Sequence, residues 1–368
     1  MNQDHMGCLA PSKSGTTLDA LSYYHEGIFA WELKHIFADN WQFVGHVDEF
    51  REQGDYKLIQ LGKVPVIVIK AENNTFRGMH NVCRHRAGPL ATKEGNCSVL
   101  TCRYHGWSYN LQGQLIHAPL MQENTHFEKE KIQLPQVKLK IWKNLIFVAL
   151  NPSPPDLDTV LKGIDKAIEP IHIERMKFSH QQRYHIDCNW KVYMDNYLEG
   201  YHLPWVHPGL SKVLKFQKYQ TEVFPWYSYQ WSPMKASQNN QTDEKLYQQG
   251  KAHYFAVFPN FMMNILPGRL QTNRVMPLTA TTTEVIFDYY YDDLDSPETI
   301  ATIEQDKNFS DEIQQEDIDI CVHVQKGLES GSYHRGIYNQ KMEQGVAHFH
   351  NLMRDRYQKA GIIEDQGI

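Results

Sequence analysis

Two short stretches, CRHRAGPL from Cys83 and CRYHGWSYN from Cys102, constrain this chain more than any other feature. The pattern is Cys83-x-His85, sixteen residues, then Cys102-x-x-His105. Four such donors invite a metal group, and the backbone must then fold so that two loops face each other. Zinc is one occupant, since two Cys and two His make a tetrahedral set. The usual finger spacing keeps the cysteines together and the histidines together, whereas here each loop carries one of each. That distribution suits a [2Fe–2S] centre in which two thiolates hold one iron and two imidazoles the other. Neutral imidazoles in place of anionic ligands raise its reduction potential. Gly88-Pro89 and Gly106 permit tight loops, and Tyr104 and Trp107 are placed to shield the centre. Cys97, five residues before Cys102, reads as a bystander.

The surroundings read as short antiparallel strands. YKLIQL and VPVIVIKA are β-rich runs flanking Gly62-Lys63, a hairpin signal. A turn at Asn73-Asn74 follows, and strand-rich segments continue to KLKIWKNLIFVAL, near residue 150. Residues 16–41 carry apolar side chains at helical spacing. The Pro-rich NPSPPDLD at 151–158 marks a boundary. This gives an N-terminal helical segment (1–41) packing on the C-terminal domain, a cluster domain (42–150) and a second domain (151–368). In the last, 189–202 reads as a helix stopped by Pro204. Residues 217–292 are mostly strands, 310–328 form a helix with Ser310 as N-cap, and KMEQGVAHFHNLMRDRY is a closing helix.

With 368 residues, a net charge of −6 and no run of about 18 apolar residues, neither a nucleic-acid-binding nor a membrane-spanning protein is expected. The first residues lack a basic start and an apolar core, so a secretory leader is not expected. Six cysteines are too few for a disulfide framework in this length, which fits a reducing cytoplasm.

A cluster alone moves electrons, so a second metal site is the next question. DNYLEGYHLPWVH spans Asp195–His207. At about 100° per residue, Asp195, Glu199 and His202 share a helical face. Pro204 then lets His207 fold back towards His202. Two histidines and one carboxylate make the facial triad of O₂-activating non-haem Fe(II), with positions left open. On the 310–328 helix, Asp317 lies at the centre of an apolar face made by Ile313, Ile320, Cys321, Val324 and Leu328. A buried, unpaired carboxylate costs several kcal/mol, roughly, so Asp317 needs a cation or a metal. Asp311, Glu316 and Asp319 lie off that centre and read as solvated or rim charges. Taken singly, His202 and His207 also fit core histidines, and Asp317 a salt bridge.

Together these motifs resemble the α (terminal oxygenase) subunits of Rieske non-haem iron oxygenases, over nearly the whole chain. CRHRAGPL…CRYHGWSYN is similar to their cluster motif, and NWKVYMDNYLEGYHLPWVH to their iron-binding helix. The resemblance places a Rieske [2Fe–2S] cluster on Cys83, His85, Cys102 and His105, and a mononuclear Fe(II) on His202, His207 and Asp317. It places a bridging acid at Glu199, where many members have Asp. Glu there, with FPNFMMNILPGRLQTNRVMPL, VQKGLESGSYHRG and GVAHFHNLM, resembles the choline, glycine betaine and carnitine monooxygenase branch. The implied fold is α+β: an antiparallel-β Rieske domain, then a catalytic domain with a twisted antiparallel sheet capped by helices. A homotrimer is implied too, with Glu199 joining one subunit's iron to His105 of the next.

The resemblance implies O₂ chemistry on a quaternary ammonium or betaine-type small molecule, by hydroxylation, demethylation or C–N cleavage. An aromatic ring or another small organic substrate, met by a ring-hydroxylating dioxygenase, is the alternative. Cation–π attraction suits the first, and Tyr197, Tyr201, Trp205, Trp226, Tyr227, Tyr229, Trp231, Phe258 and Phe261 are candidate walls. Arg269 and Arg274 are candidates for a substrate carboxylate. No flavin or nicotinamide motif follows a strand, so electrons from NAD(P)H come through a separate reductase, with or without a ferredoxin. Arg84, Arg86, Lys93 and Arg103 read as a solvated face or as a basic rim on which it docks.

Overall fold

A computed structural model describes residues 15–235 and 250–362. Cys8 and the reading of the first fourteen residues as no secretory leader lie outside the described residues. The chain divides into two compact units: Glu32–Asp158, and the residues up to Trp31 together with those from Thr159 onward.

The Glu32–Asp158 unit is built from small antiparallel sheets of three, four and three strands. Strands Asp55–Leu61 and Val64–Lys70 pair as the sequence suggests, with Tyr56 opposite Ile69 and Leu61 opposite Val64. Gly62 turns between them at φ +57°, and a Cβ there would lie 2.3 Å from the Leu33 carbonyl oxygen, so only glycine fits. Val66, Ile67, Val68 and Ile69 are all fully buried. This is how a central strand reads, rather than one with a wet face. Ile67 and Ile69 join Met79, Leu100, Trp107 and Tyr109 in one core, and that core includes Cys83 and Cys102.

In the other unit a seven-stranded antiparallel sheet runs in the order 177–186, 283–291, 269–277, 261–266, 251–257, 227–233, 220–224. Sequence reading missed its first strand, Lys177–Ile186. KFSHQQRYHI is an edge strand, half-buried along most of its length, and shows no clean alternation of apolar and polar residues.

Helices Trp190–Tyr197, Leu203–Val206, Pro297–Glu329 and Gln344–Lys359 accompany the sheet. Two helix expectations are corrected. The helix read as 189–202 ends at Tyr197, and Pro204 opens a separate short helix instead of stopping the first. A proline suits a first turn, where its missing N–H has no partner to lose. The helix read as starting at Ser310 starts at Pro297, capped by the Ser296 hydroxyl, which accepts from the Thr299 N–H. Ser310 lies inside it, buried, with its hydroxyl 2.7 Å from that of Tyr289.

Residues 16–41 form a 3₁₀ turn (Ala20–Tyr23), an α-helix (Glu26–Glu32) and a π turn (Leu33–Phe37). The Leu18 N–H donates to Nδ1 of His350, and the Tyr23 hydroxyl donates to Asp195. No helix among the described residues is long and apolar enough to cross a membrane.

Candidate metal centres

The two Cys/His loops are built alike. The Cys83 N–H donates to the Gly88 carbonyl and the Ala87 N–H to the Cys83 carbonyl. Cys102, Trp107 and Gly106 repeat both bonds. Ala87 and Gly106, at equivalent places, both take positive φ (56° and 75°). The loops press together so closely that a Cβ on Gly88 would lie 2.9 Å from Sγ of Cys102. Both cysteines are buried, while His85 and His105 are exposed with ring centroids 4.6 Å apart. Trp107 stacks on His85 at 4.7 Å and 8°, and Tyr104 packs on His105 while remaining 57% exposed.

This segregation of sulfur from imidazole fits a two-iron cluster. Among the described residues, the one group of three or more His, Cys, Asp or Glu whose ligand atoms all lie within 4.8 Å of one another is elsewhere. Burial raises the Cys102 thiol pKa. Desolvation, then His85 and Arg86, lower that of His105, which favours its neutral, ligating form. Tyr109, missed in the sequence, accepts from the Arg84 N–H at 3.0 Å and lies 3.3 Å from Sγ of Cys83, placed to donate to a ligating sulfur. Cys97 is not part of either loop and hydrogen-bonds through its backbone to Gly54.

The compact group is His202, His207 and Asp317. After the first helix ends at Tyr197, with Leu198 as its C-cap, Gly200 lets the chain pass Tyr219, whose ring a Cβ would strike at 2.8 Å. The Glu199 carboxylate organises this turn by accepting the backbone N–H groups of Tyr201 and His202. The helix Leu203–Val206 then sets the two histidines at its ends, His202 as N-cap and His207 as C-cap. Asp317 comes from the long helix, with Oδ1 3.0 Å from His207 Nε2 and 3.9 Å from His202 Nε2. The Asn196 amide donates to the same oxygen at 2.6 Å.

Each histidine is fixed from behind. His202 Nδ1 is 2.6 Å from Glu199 Oε1, and His207 Nδ1 is 2.7 Å from Glu316 Oε2. A carboxylate on Nδ1 keeps the proton there and leaves the Nε2 lone pair for a metal. Burial works against protonating His207, but Asp317 and then Glu316 outweigh it, so its pKa is raised. Glu316 is therefore not the rim charge that helical counting suggested. It sits beside Asp317 on the helix, but its partner is 109 residues away in sequence.

Other expectations divide. Asp195 is not one of the triad and is bonded to His350 and Tyr23. Asp311 accepts from the Tyr184 hydroxyl, and Asp319 from Gln315. Of the apolar face around Asp317, Cys321 and Leu328 are buried, while Ile320 and Val324 are 37% and 44% exposed. Both of these line an open cavity of about 620 Å³ that also carries His202, Glu199, Asp195 and Glu343. Burial, then Glu199 and Asp195, raise the Glu343 pKa against its backbone bond to Asn339.

A smaller cavity, about 70 Å³, borders Asp317 on the sheet side. Of the nine proposed aromatic walls, Tyr197 lines it, and none lines the larger cavity. Trp205 is 83% exposed, while Tyr227 and Tyr229 stack on Phe224 and Phe255. Arg274 is tied to Asp288 in the core at 2.9 Å. Arg269 borders the small cavity but is bound to Asp306 at 2.9 Å and to Gln271.

With this geometry in view, known proteins were compared. The Rieske [2Fe-2S] domain family matches residues 40–139, and the ring hydroxylating alpha subunit (catalytic domain) family matches residues 173–359. Chloroplastic choline monooxygenase of Arabidopsis thaliana is 32% identical, over 93% of this chain and 83% of that protein. The carnitine monooxygenase oxygenase subunit of Escherichia coli K12 is 28% identical, over 94% and 95%. The quaternary ammonium Rieske monooxygenase CntA, solved with L-carnitine, superposes with a TM-score of 0.80 at 25% identity, over 92% of this chain and 95% of that one.

Proposed function

We propose that this chain, which belongs to the Rieske-type ring-hydroxylating oxygenases as an α subunit, oxidises a quaternary ammonium compound. The balance is C–H plus O₂, two electrons and two protons giving C–OH plus water. At an N-methyl or N-methylene carbon the product would collapse with C–N cleavage; at a carbon already bearing a hydroxyl it would lose water to an aldehyde; elsewhere it would persist as an alcohol.

The convergence of His202, His207 and Asp317 carries the reading. Iron bound there would supply O₂ binding and one-electron chemistry at open coordination positions. Glu199 and Glu316 hold the two imidazoles with Nε2 forward, and Asn196 steadies Asp317. Cys83, His85, Cys102 and His105 would hold the [2Fe–2S] cluster. The substrate class is supported by the choline and carnitine monooxygenases among the relatives. It is supported also by the rings of Tyr193, Tyr197, Tyr254 and Phe287 around the small cavity. Aromatic faces suit a methylated cation, which cannot hydrogen-bond.

A separate NAD(P)H-dependent reductase would supply electrons in the cytoplasm, docking near the exposed Arg84, Arg86, Lys93 and Arg103. The working unit would be a homotrimer in which exposed His105 of one copy approaches Glu199 of the next. The exposure of His105 and the open cavity that bears Glu199 support such an approach.

Oxygen uptake with a reductase, screened over choline, betaines, carnitine and aromatic acids, tests the substrate. Turnover of aromatic acids alone would refute the reading. Iron analysis should give about three irons per chain, two in the cluster and one outside it.

A further inference from the structure

The small cavity beside Asp317 has walls that a hydrocarbon would not need. Arg269, Gln271, Asn273 and Gln314 all border it and all are nearly fully buried. Most of these polar groups satisfy one another. Arg269 bonds Asp306 and Gln271, Gln271 donates to Asn273 at 3.1 Å, and the Tyr197 hydroxyl donates to Asn264 at 2.5 Å.

Gln314 is different. Its side-chain oxygen accepts from the Tyr193 hydroxyl at 2.7 Å. Its amide nitrogen is buried and meets no hydrogen-bond partner among the described residues. A buried donor left unsatisfied is costly, so a fold that keeps one beside a cavity has reason to expect an acceptor there. Gln314 precedes Asp317 by three residues on one helix, so the two side chains are neighbours on the same face.

We infer that the Gln314 amide donates to the hydroxyl oxygen of a small quaternary ammonium alcohol, a step that rests on the substrate class proposed above. Gln314 is then a positioning and specificity-determining residue. The tyrosine and phenylalanine rings hold the cationic head, and the amide holds the oxygen beside the metal position. A hydroxyl fits better than a carboxylate. Both arginines in this region already carry carboxylate partners, Asp306 and Asp288, and the Asp317 carboxylate opens on the same space.

The test is anaerobic calorimetry on the holoenzyme with three probes: choline, ethyltrimethylammonium, which lacks the oxygen, and glycine betaine, which carries a carboxylate. The wild type should bind choline at least about tenfold more tightly than the other two. Gln314→Glu keeps an acceptor for Tyr193 but offers oxygen where the N–H₂ was, and Gln314→Leu removes both groups. In Gln314→Leu the ratio of choline to ethyltrimethylammonium should fall to near one, with affinity for ethyltrimethylammonium retained, whereas Gln314→Glu offers a carboxylate to which the choline hydroxyl can itself donate and should keep a preference for choline. That retained affinity separates loss of the donor from loss of the fold. If choline and ethyltrimethylammonium bind the wild type equally, or the ratio survives in Gln314→Leu, Gln314 does not seat an oxygen. Betaine binding as tightly as choline would overturn the hydroxyl assignment. If none of the three binds the wild type, the substrate class itself falls, and this inference with it.

Discussion

Glu316→Ala offers the sharpest test of how the mononuclear site is built, because Glu316 touches no substrate position and reaches the metal through His207 alone. Its Oε2 lies 2.7 Å from His207 Nδ1, a charge-assisted contact on a histidine that is 1% exposed. Hydrogen bonds to charged groups contribute about 1.5–3 kcal/mol. The Glu316 side chain is 30% exposed, so water recovers part of that on truncation and about 1–2 kcal/mol remains. Fe(II) affinity should therefore fall about 5- to 30-fold, in line with the loss of a carboxylate behind a ligating histidine. The assay is anaerobic Fe(II) titration of enzyme depleted at the mononuclear site, in competition with a chelator, with the cluster's visible spectrum as internal reference. Glu316→Gln keeps an acceptor and should lose less. Glu312→Ala, exposed on the same helix, should lose nothing. Affinity in Glu316→Ala within twofold of wild type would refute the reasoning and return Glu316 to the rim.

Asp317→Ala should empty the mononuclear site and abolish oxygen-coupled turnover while the cluster's absorption and spin signals persist, as iron analysis and spectroscopy would show. Cys102→Ser should lose the cluster's colour and reductase-driven turnover; an unchanged spectrum, or stoichiometric zinc in the wild type, would favour a finger-like site. Glu199→Gln keeps one acceptor oxygen for the turn and His202, so both metals should remain and the cluster should still reduce. Turnover should stall, and a wild-type rate or an active monomer would remove Glu199 from the electron route. His253 is buried beside Tyr229, and burial, then Lys251, lower its pKa to about 4. Between that value and its ordinary 6.5 the unfolded chain binds the extra proton, so the stabilisation is complete above pH 6.5 and fades as pH falls towards 4, by about 2–3 kcal/mol. Urea midpoints for His253→Phe should accordingly vary less than wild type between pH 7.5 and 4.5.

What could be read from the chain was what the chain keeps local. Cys83 with His85, and Cys102 with His105, lie within single turns, so spacing alone brought them forward. His202 and His207 bracket one four-residue helix, and Asp317 emerged because a carboxylate amid Ile313, Cys321 and Leu328 demands a partner. Groups whose meaning lies in a distant contact stayed hidden. Glu316 differs from Asp317 by one step around a helix, and nothing nearby in sequence points to His207. Ile320 and Val324 were right as apolar residues and wrong as core, because a helix cannot tell a cavity from a packed wall. The aromatic strand residues failed for a similar reason: alternation separates the faces of Tyr227–Trp231 but does not say which one a ligand meets. The start of the long helix was legible in Ser296-Pro297-Glu298, a capping serine followed by proline and an acid. The weakly apolar first half of that helix concealed it.

The surroundings of the four imidazoles explain why one chain would carry two such different sites. His202 and His207 each have a carboxylate behind Nδ1 and are mostly shielded, at 16% and 1% exposure. Such rings are strong, fixed donors, suited to holding an ion whose open positions must keep their geometry while substrate and O₂ come and go. His85 and His105 lie on the surface, braced by the faces of Trp107 and Tyr104, with the two sulfurs buried beneath them. A cluster set that way presents its imidazole edge outward, where an electron can cross to a docked surface, and keeps its thiolates from solvent. The sequence spacing already contains the difference. A short x or x-x between Cys and His puts sulfur and imidazole on opposite sides of one tight loop, whereas the helical turn between His202 and His207 brings both rings to one side. The first arrangement would spread its donors over two irons, and the second would gather them around one.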